Sequence, residues 1–361
     1  MNPNDISNLR LINQQIAVSK YKTAKDIVAY MGAMQAQDFN MAKWAIGIRL
    51  PATTEKQIDA AINKGEIIRT HLLRPTWHLV SSDDIHWMLD LTAPQIRRVI
   101  KPRDKDLNLT ETIYSKAFAI IEKKLDGGIH LSREELITEF VKADIAVDNN
   151  RASHLFLRAE IEGIICSGKI KANKQTYALL HERIPKTRTL KRDEALAQLA
   201  LRYFRSHCPA TLQDFVWWSG LSVSESKQAL EMVKSDFIPE TIGNQTYWFT
   251  NSYTVPQNTT DKIHLVPAYD EFLISYKDRT ASLPFKDNIK AVSNNGIFRP
   301  VIVHNGQVIG IWKRTIQKDK VIVETDFFQS CNKSMKDLIE KEAMTVGSFL
   351  DKKAVIKNST E

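Results

Sequence analysis

Residues 132–180 read SREELITEFVKADIAVDNNRASHLFLRAEIEGIICSGKIKANKQTYALL, and this stretch decides the fold. It opens on a capping box, Ser132 with Glu135 three residues later, which satisfies the free amides of a helix start. Leu136, Ile137, Phe140 and Val141 follow at helical spacing. NNRASHLFLRAEIEGII supplies a second amphipathic helix. IICSGKIKANKQTYALL then holds two β-rich runs around polar turn residues, the pattern of a hairpin.

The same layout recurs on either side. Thr211 with Asp214 opens a helix carrying Phe215, Trp218 and Leu221. SVSESKQALEMVKSDF, capped by Ser222 and Glu225, gives the next helix, and FIPETIGNQTYWFT the hairpin. Upstream, Thr23 with Asp26 opens a helix with Ile27, Met31 and Met34 as its apolar stripe. TTEKQIDAAINKGEI and the hairpin IIRTHLLRPTWHLV follow. All three second strands carry Thr before an aromatic: Thr76-Trp77, Thr176-Tyr177 and Thr246-Tyr247. Each unit has a preceding helix, at 5–18, 112–126 and 192–206. Helices followed by a hairpin describe a winged helix-turn-helix, and the recurrence predicts three in tandem.

After residue 260 the character changes. IHLVPAYDEFLISY, RPVIVHNGQVIGIWKR and KVIVETDFF read as strands. His304-Asn305-Gly306 is a hairpin turn, a helix is predicted from Lys333 to Leu350, and VPQNTT at 255–260 is a linker. The expected fold is therefore α+β: three tandem winged helix-turn-helix units, then a small C-terminal β-barrel-like domain. The divisions fall at 1–105, 106–190, 191–254 and 261–358.

The 361-residue chain has an ordinary 43% hydrophobic and 25% charged composition and a net charge of +8. That balance suits a polyanionic partner. Three scattered cysteines form no CxxC pair and point to free thiols in a reducing compartment. The polar amino terminus lacks a signal-peptide core, and no apolar run has the roughly 18 residues of a membrane span. A cytoplasmic, nucleoid-associated monomer without a cofactor is the expectation.

Basic residues fall where a winged helix meets DNA. Arg69, Arg74 and His78 lie on or beside the first hairpin, and Lys169, Lys171 and Lys174 on the second. Arg97, Arg98, Lys101 and Arg103 belong to IRRVIKPRDK, a basic run between the first two units. Such contacts give affinity and salt dependence with little sequence choice. A solvated basic surface is the competing explanation for any one of them.

Standard catalytic sets are missing. There is no HExxH, no Gly-rich phosphate loop and no GxSxG, and the nine histidines show no metal spacing. Asp270 and Glu271 are neighbours; read as strand residues, they point to opposite faces and cannot act as a pair. Gln35 and Gln37 in MQAQD raise a different question. On a continuous helix they would stand about 200° apart, whereas in an extended segment they share a face. The chain would have to leave the helix near Met34.

QAQ, RPTWH (74–78), VPAYDEFLISYKDR (266–279) and NGQVIGIWKR (305–314) together resemble the bacterial winged-helix DNA glycosylases of the AlkZ/YcaQ type, over roughly residues 5–350. The resemblance implies a monofunctional glycosylase that hydrolyses the N-glycosidic bond of N7-alkylated purines in duplex DNA. It also implies that Gln35 and Gln37 are the catalytic pair. The Gln-Gln version is that of the branch that unhooks crosslinks left by a natural-product alkylator. Relatives with Asp second act on nitrogen-mustard crosslinks and N7-alkylguanines. A winged-helix DNA-binding protein without catalysis, such as a transcription regulator, is the alternative.

Overall fold

The computed structural model of the protein describes residues 2–186, 189–251 and 261–358. A first helix, α1 (Pro3–Asn13), precedes three modules with one element order. The first comprises α2 (Ala24–Met31), β1 (Ala33–Gln35), α3 (Phe39–Gly47), α4 (Glu55–Lys64), β2 (Ile67–Leu72) and β3 (Thr76–Ser81). A 22-residue helix, α5 (Ile85–Asp106), follows. The second comprises α6 (Glu111–Leu125), β4 (Leu131–Ser132), α7 (Arg133–Lys142), α8 (Arg151–Ile161), β5 (Ile165–Ser167) and β6 (Thr176–Leu179), and ends in a short α9 (Leu180–Arg183). The third comprises α10 (Arg192–His207), β7 (Ala210–Thr211), α11 (Leu212–Ser219), α12 (Val223–Val233), β8 (Phe237–Ile242) and β9 (Gln245–Thr250). Their sheets share one order, with the last strand in the middle: β1-β3-β2, β4-β6-β5 and β7-β9-β8.

The C-terminal part contains β10 (Ile263–Val266), α13 (Glu271–Ile274), α14 (Asn288–Ala291), β11 (Val301–His304), β12 (Gln307–Ile316), β13 (Lys320–Phe327), α15 (Lys333–Phe349) and β14 (Lys353–Asn358). Its five strands run in order β10-β11-β12-β13-β14. The sheet keeps two edges, so it is a curled half-barrel and not a closed barrel. The Asn305-Gly306 turn joins β11 and β12 with φ of +47° and +83°, the values a two-residue type I′ hairpin needs. Glycine is required at 306 twice over, because a Cβ there would stand 2.5 Å from Ser7 Oγ on α1.

Capping boxes fix the helix starts at Thr54, Ser132, Thr211 and Ser222. The Thr23 cap also marks a real helix, but in another role. It opens α2, which precedes the strand β1 and so corresponds to α6 and α10. The counterpart of α7 and α11 is α3, capped by Asp38. The helix expected to reach Met34 stops at Met31, and Met34 is a buried strand residue. Gly32, at φ +79°, makes this sharp exit, which a Cβ-bearing residue resists. The helix placed at 5–18 ends at Asn13. The basic run 96–105 is not a connector but the last part of α5, despite Pro94 and Pro102 inside that helix. The linker proposed at 255–260 lies outside the described residues.

Cores cross the modules. Ile27, Met31 and Trp44 of the first module pack with Leu265, Trp312, Val346 and Phe349 of the C-terminal part in one buried cluster. Trp44 and Trp312 donate their indole N–H to the carbonyls of Leu265 and Val266, at 2.7 and 2.8 Å. A second cluster joins Leu73 and Met88 to Tyr203, Phe215 and Trp218 of the third module. The second module keeps a core of its own around Phe140 and Phe156. It is tied to the first by the buried contact of His71 on β2 with Glu160 on α8. Burial of this apolar surface is the main source of stability. It also fixes the first module between the third module and the C-terminal sheet. Among the described residues no helix is long and apolar enough to cross a membrane.

Candidate active site

In the second and third modules the short strand runs directly into the helix cap, because Ser132 and Thr211 are each strand end and cap at once. In the first module two residues intervene between the strand end at Gln35 and the cap at Asp38. They are Ala36 and Gln37. The QAQ tripeptide is thus a local departure from the repeat: the strand ends at Gln35 and Gln37 stands in a bend, with Gln35 buried and Gln37 exposed.

Its backbone is held from three directions. The Gln35 amide donates to Glu271 Oε1 at 2.6 Å. The Ala36 amide donates to the Trp77 carbonyl at 2.7 Å. The Ala36 carbonyl accepts from Arg69 Nε and Nη2 at 3.0 and 2.9 Å. Gln35 is 6% exposed, and its Oε1 accepts from Arg74 Nη2 at 2.8 Å. Gln37 is exposed, and among the described residues no partner engages its side-chain amide. Gln35 is thus held in place by Arg74, whereas Gln37 is exposed and, among the described residues, unpartnered.

The AYDEF segment corrects the strand reading of Asp270 and Glu271. The strand β10 ends at Val266, Tyr269 takes φ +57°, and Asp270 caps the short α13 by accepting from the Phe272 amide. Both carboxylates are buried and face different partners. Asp270 forms a two-point ion pair with Arg49 at 2.7 and 2.8 Å. Glu271 takes the Gln35 amide on Oε1. Its Oε2 takes the Trp218 indole N–H at 3.0 Å, lies against the Ser275 hydroxyl, and stands 3.4 Å from His207 Nε2. Burial alone would raise the Glu271 carboxyl, but His207, Ser275 and the Gln35 amide outweigh it and hold it at about 2. The carboxylate is therefore an anchor for the QAQ backbone, charged at every working pH.

The YKDR stretch is a second staple. The Tyr276 hydroxyl donates to the His207 carbonyl at 2.7 Å, and the Lys277 amide to Asp214 Oδ1 at 2.8 Å. The structure does not pair Asp278 with Arg279; Arg279 donates to the Leu273 carbonyl, and Asp278 accepts from Thr280. The partners of Tyr276 and of the Lys277 amide, His207 and Asp214, lie more than 60 positions away in the chain. Spacing gave no signal for Glu271, Asp270 or His207 beyond the adjacency of the two acids, and marked Asp214 only as a helix cap partner.

The basic residues divide into two groups. Arg69 and Arg74 face inward to QAQ, and Arg69 also stacks over Trp77 with 4.3 Å to the ring centroid. His78 is fully buried on β3 as the cross-strand partner of Gln35, with Nδ1 3.0 Å from the Thr76 carbonyl. It contributes from behind the site and not as a surface contact. Arg97, Arg98, Lys101 and Arg103 are exposed on α5; Arg97 pairs with Glu162 and Arg103 with Asp106. Lys169, Lys171 and Lys174 are exposed on the second hairpin. Lys174 and Arg69 line a cleft of about 370 Å³ with Trp77, Arg133 and Tyr177, between the first two modules. Among the described residues no group of three or more His, Cys, Asp or Glu is placed to hold a metal ion.

His78 carries a pH prediction. Burial first, then the nearby Arg74 charge, lower its imidazole to about 3, so it stays neutral in the fold. In the unfolded chain it binds a proton near pH 6.5. Between pH ~6.5 and ~3 the unfolded state holds the extra proton, so stability falls as pH falls through that window. Thermal or urea unfolding should show about 2 kcal/mol lost between pH ~7 and ~5 from this group. His78→Asn, which keeps a donor for the Thr76 carbonyl, should flatten that part of the profile. An unchanged slope would remove His78 as its origin.

Comparison with known proteins gives the family and the fold. The family model described as "DNA glycosylase AlkZ-like" matches residues 28–349. The curated "Interstrand DNA cross-link repair glycosylase" of Streptomyces sahachiroi is 25% identical over 366 residues, covering 93% of each chain. The solved structure of the Streptomyces sahachiroi DNA glycosylase AlkZ superposes with a TM-score of 0.76 at 20% identity, over 99% of this chain and 100% of that one, and so shares the fold. With the family model spanning most of its length, the chain belongs to the AlkZ-like DNA glycosylases.

Proposed function

We propose that the protein hydrolyses the N-glycosidic bond of N7-alkylated purines in duplex DNA as a monofunctional glycosylase, with Gln35 and Gln37 positioning the attacking water. The observation that carries this is the QAQ segment itself. Its backbone is fixed at Gln35 N, Ala36 N and Ala36 O, while the Gln37 amide stays exposed and unengaged. N7 alkylation places a positive charge on the base, so the leaving group is activated without a general acid. What remains is to orient water and to stabilise a cationic sugar. Two carbonyl dipoles, that of Gln35 held by Arg74 and that of Gln37 on a backbone fixed beside it, can do both through position, without proton transfer.

We read each of the three α-β-α-α-β-β modules as a winged helix-turn-helix, with the first (residues 1–105) carrying the site. The second (106–190) and third (191–254) bring backbone contacts, and the C-terminal part (261–358) braces QAQ through Glu271. Lys169, Lys171, Lys174 and the exposed α5 basic residues are in this reading phosphate contacts. The curated relative's name extends the substrate to interstrand crosslinks. A bulky crosslink obstructs full extrusion of a base, and an exposed Gln37 suits attack on a lesion left in the duplex.

Purified protein should release free base from a duplex containing N7-methylguanine, or from one crosslinked through guanine N7 by a nitrogen mustard, and leave abasic sites. Tight duplex binding with no release from either substrate would overturn the proposal in favour of a non-catalytic DNA-binding protein.

A further inference from the structure

We propose that Arg74, Lys277 and Arg279, gathered around the Trp217 indole, form a cradle for the DNA phosphate next to the attacked nucleotide; this rests on the glycosylase reading above. Arg74 comes from a distant part of the chain and meets Lys277 and Arg279 on one ring. Their distances to the Trp217 centroid are 5.5 Å for Arg74, 5.1 Å for Lys277 and 5.5 Å for Arg279. The ring is fixed, because its Nε1 donates to the Ile274 carbonyl at 2.8 Å. The Lys277 backbone is pinned to Asp214, and Arg279 Nε to the Leu273 carbonyl at 2.9 Å.

The two cations Arg49 and Lys43, both buried, have carboxylate partners, in Asp270 and in Glu55 and Asp59. Arg74, Lys277 and Arg279 form no such ion pair among the described residues. Each raises the electrostatic energy of the others in a partly desolvated setting. Burial lowers the Arg279 guanidinium to about 10, with Asp214 opposing the shift and Arg74 adding to it. An indole face gives each cation a modest attraction and holds it in place, but leaves the charges uncompensated. A phosphodiester satisfies this arrangement: one negative charge and several acceptor oxygens, matched to guanidinium forks and an ammonium.

The position gives the cradle a role. Arg74 bonds Gln35 Oε1 through Nη2 and borders Trp217 at once. A phosphate held here is in fixed register with the two glutamines. The contact selects no sequence but sets where along the strand the amides sit. Lys277 and Arg279 are thus positioning residues for the reaction.

Lys277 is exposed, so its substitution leaves the fold intact. The experiment measures wild type, Lys277→Ala, Lys277→Arg and, as a control, Lys123→Ala on the distant α6, for duplex affinity over a salt series and for base release. One lost phosphate contact lowers the slope of log K against log salt by about 0.9, or about eightfold in affinity at ~0.1 M salt. Lys277→Ala is expected to show both, with raised KM and kcat within twofold. Lys277→Arg restores the slope, and Lys123→Ala matches wild type. A Lys277→Ala slope equal to wild type, in protein that still releases base, overturns the cradle and leaves the glycosylase standing. Wild-type protein that binds duplex with the predicted Lys277 dependence but releases no base overturns the glycosylase reading instead.

Discussion

Gln37→Ala is expected to lower base excision by about two to three orders of magnitude and to leave the fold untouched. The stability half follows from exposure. Gln37 has no side-chain partner among the described residues, and substitutions at such sites stay within about 0.5 kcal/mol. The activity half follows from chemistry. A single preorganised dipole in a transition state is worth about 3–4 kcal/mol, and the carbonyl oxygen of Gln37 is the one free to take that place. The pH profile separates this role from proton transfer. Neither amide titrates, so wild-type kcat should be flat from about pH 5 to 9, a range in which a general base would bend it. Gln37→Glu keeps an acceptor oxygen but makes it ionisable. It should recover part of the activity and acquire an acidic limb near the carboxylate pKa. A bell-shaped wild-type profile, or a Gln37→Ala variant as fast as wild type, would sink the water-positioning role.

Local chemistry made much of the architecture legible. Capping residues find helix starts because they satisfy amides within one turn, and Ser132, Thr211, Ser222 and Thr54 are all caps. A cap does not say which helix of a module it opens. Thr23 misled for that reason, and the two residues inserted before Asp38 hid the true counterpart, α3. The polarity of VPAYDEF gave no warning that the strand ends at Val266. What buries Asp270 and Glu271 is Arg49, the Gln35 amide, Trp218 and His207, all more than 50 positions away in the chain. Arg69 and Arg74 illustrate the same limit from the other side. Their charge suggests a partner but not its direction, and both turn inward to the QAQ segment, where Ala36 O and Gln35 Oε1 wait as acceptors. Resemblance of motifs pointed to the glutamines, whereas their support is a tertiary property.

Glu271→Gln is expected to cost about 3–5 kcal/mol of stability and most of the excision activity. The wild-type carboxylate accepts from the Gln35 amide on one oxygen and from Trp218 and Ser275 on the other. An amide of the same shape has one carbonyl and one NH2. Whichever way it is placed, a donor meets a donor, either the Gln35 N–H or the Trp218 N–H. Buried donors left unpaired cost about 1–3 kcal/mol each. Trp218→Phe removes the clashing indole N–H, so Glu271→Gln with Trp218→Phe should be more stable than the sum of the two single changes predicts, by at least about 1 kcal/mol. The acid limb gives an independent reading. The wild-type carboxyl titrates at about 2 in the fold and near 4.5 when unfolded. Its contribution, about 3 kcal/mol, is complete above pH ~4.5 and is lost as pH falls towards ~2. That window lies below most of the His78 window, and Glu271→Gln should flatten it alone. Because the Gln35 amide hangs on this carboxylate, the same variant should lower kcat more than it raises KM, by displacing the glutamines from the water. A Glu271→Gln protein with wild-type stability at neutral pH and an unchanged acid limb would show that QAQ is held by its own strand, β1 on β3, and not from the C-terminal sheet.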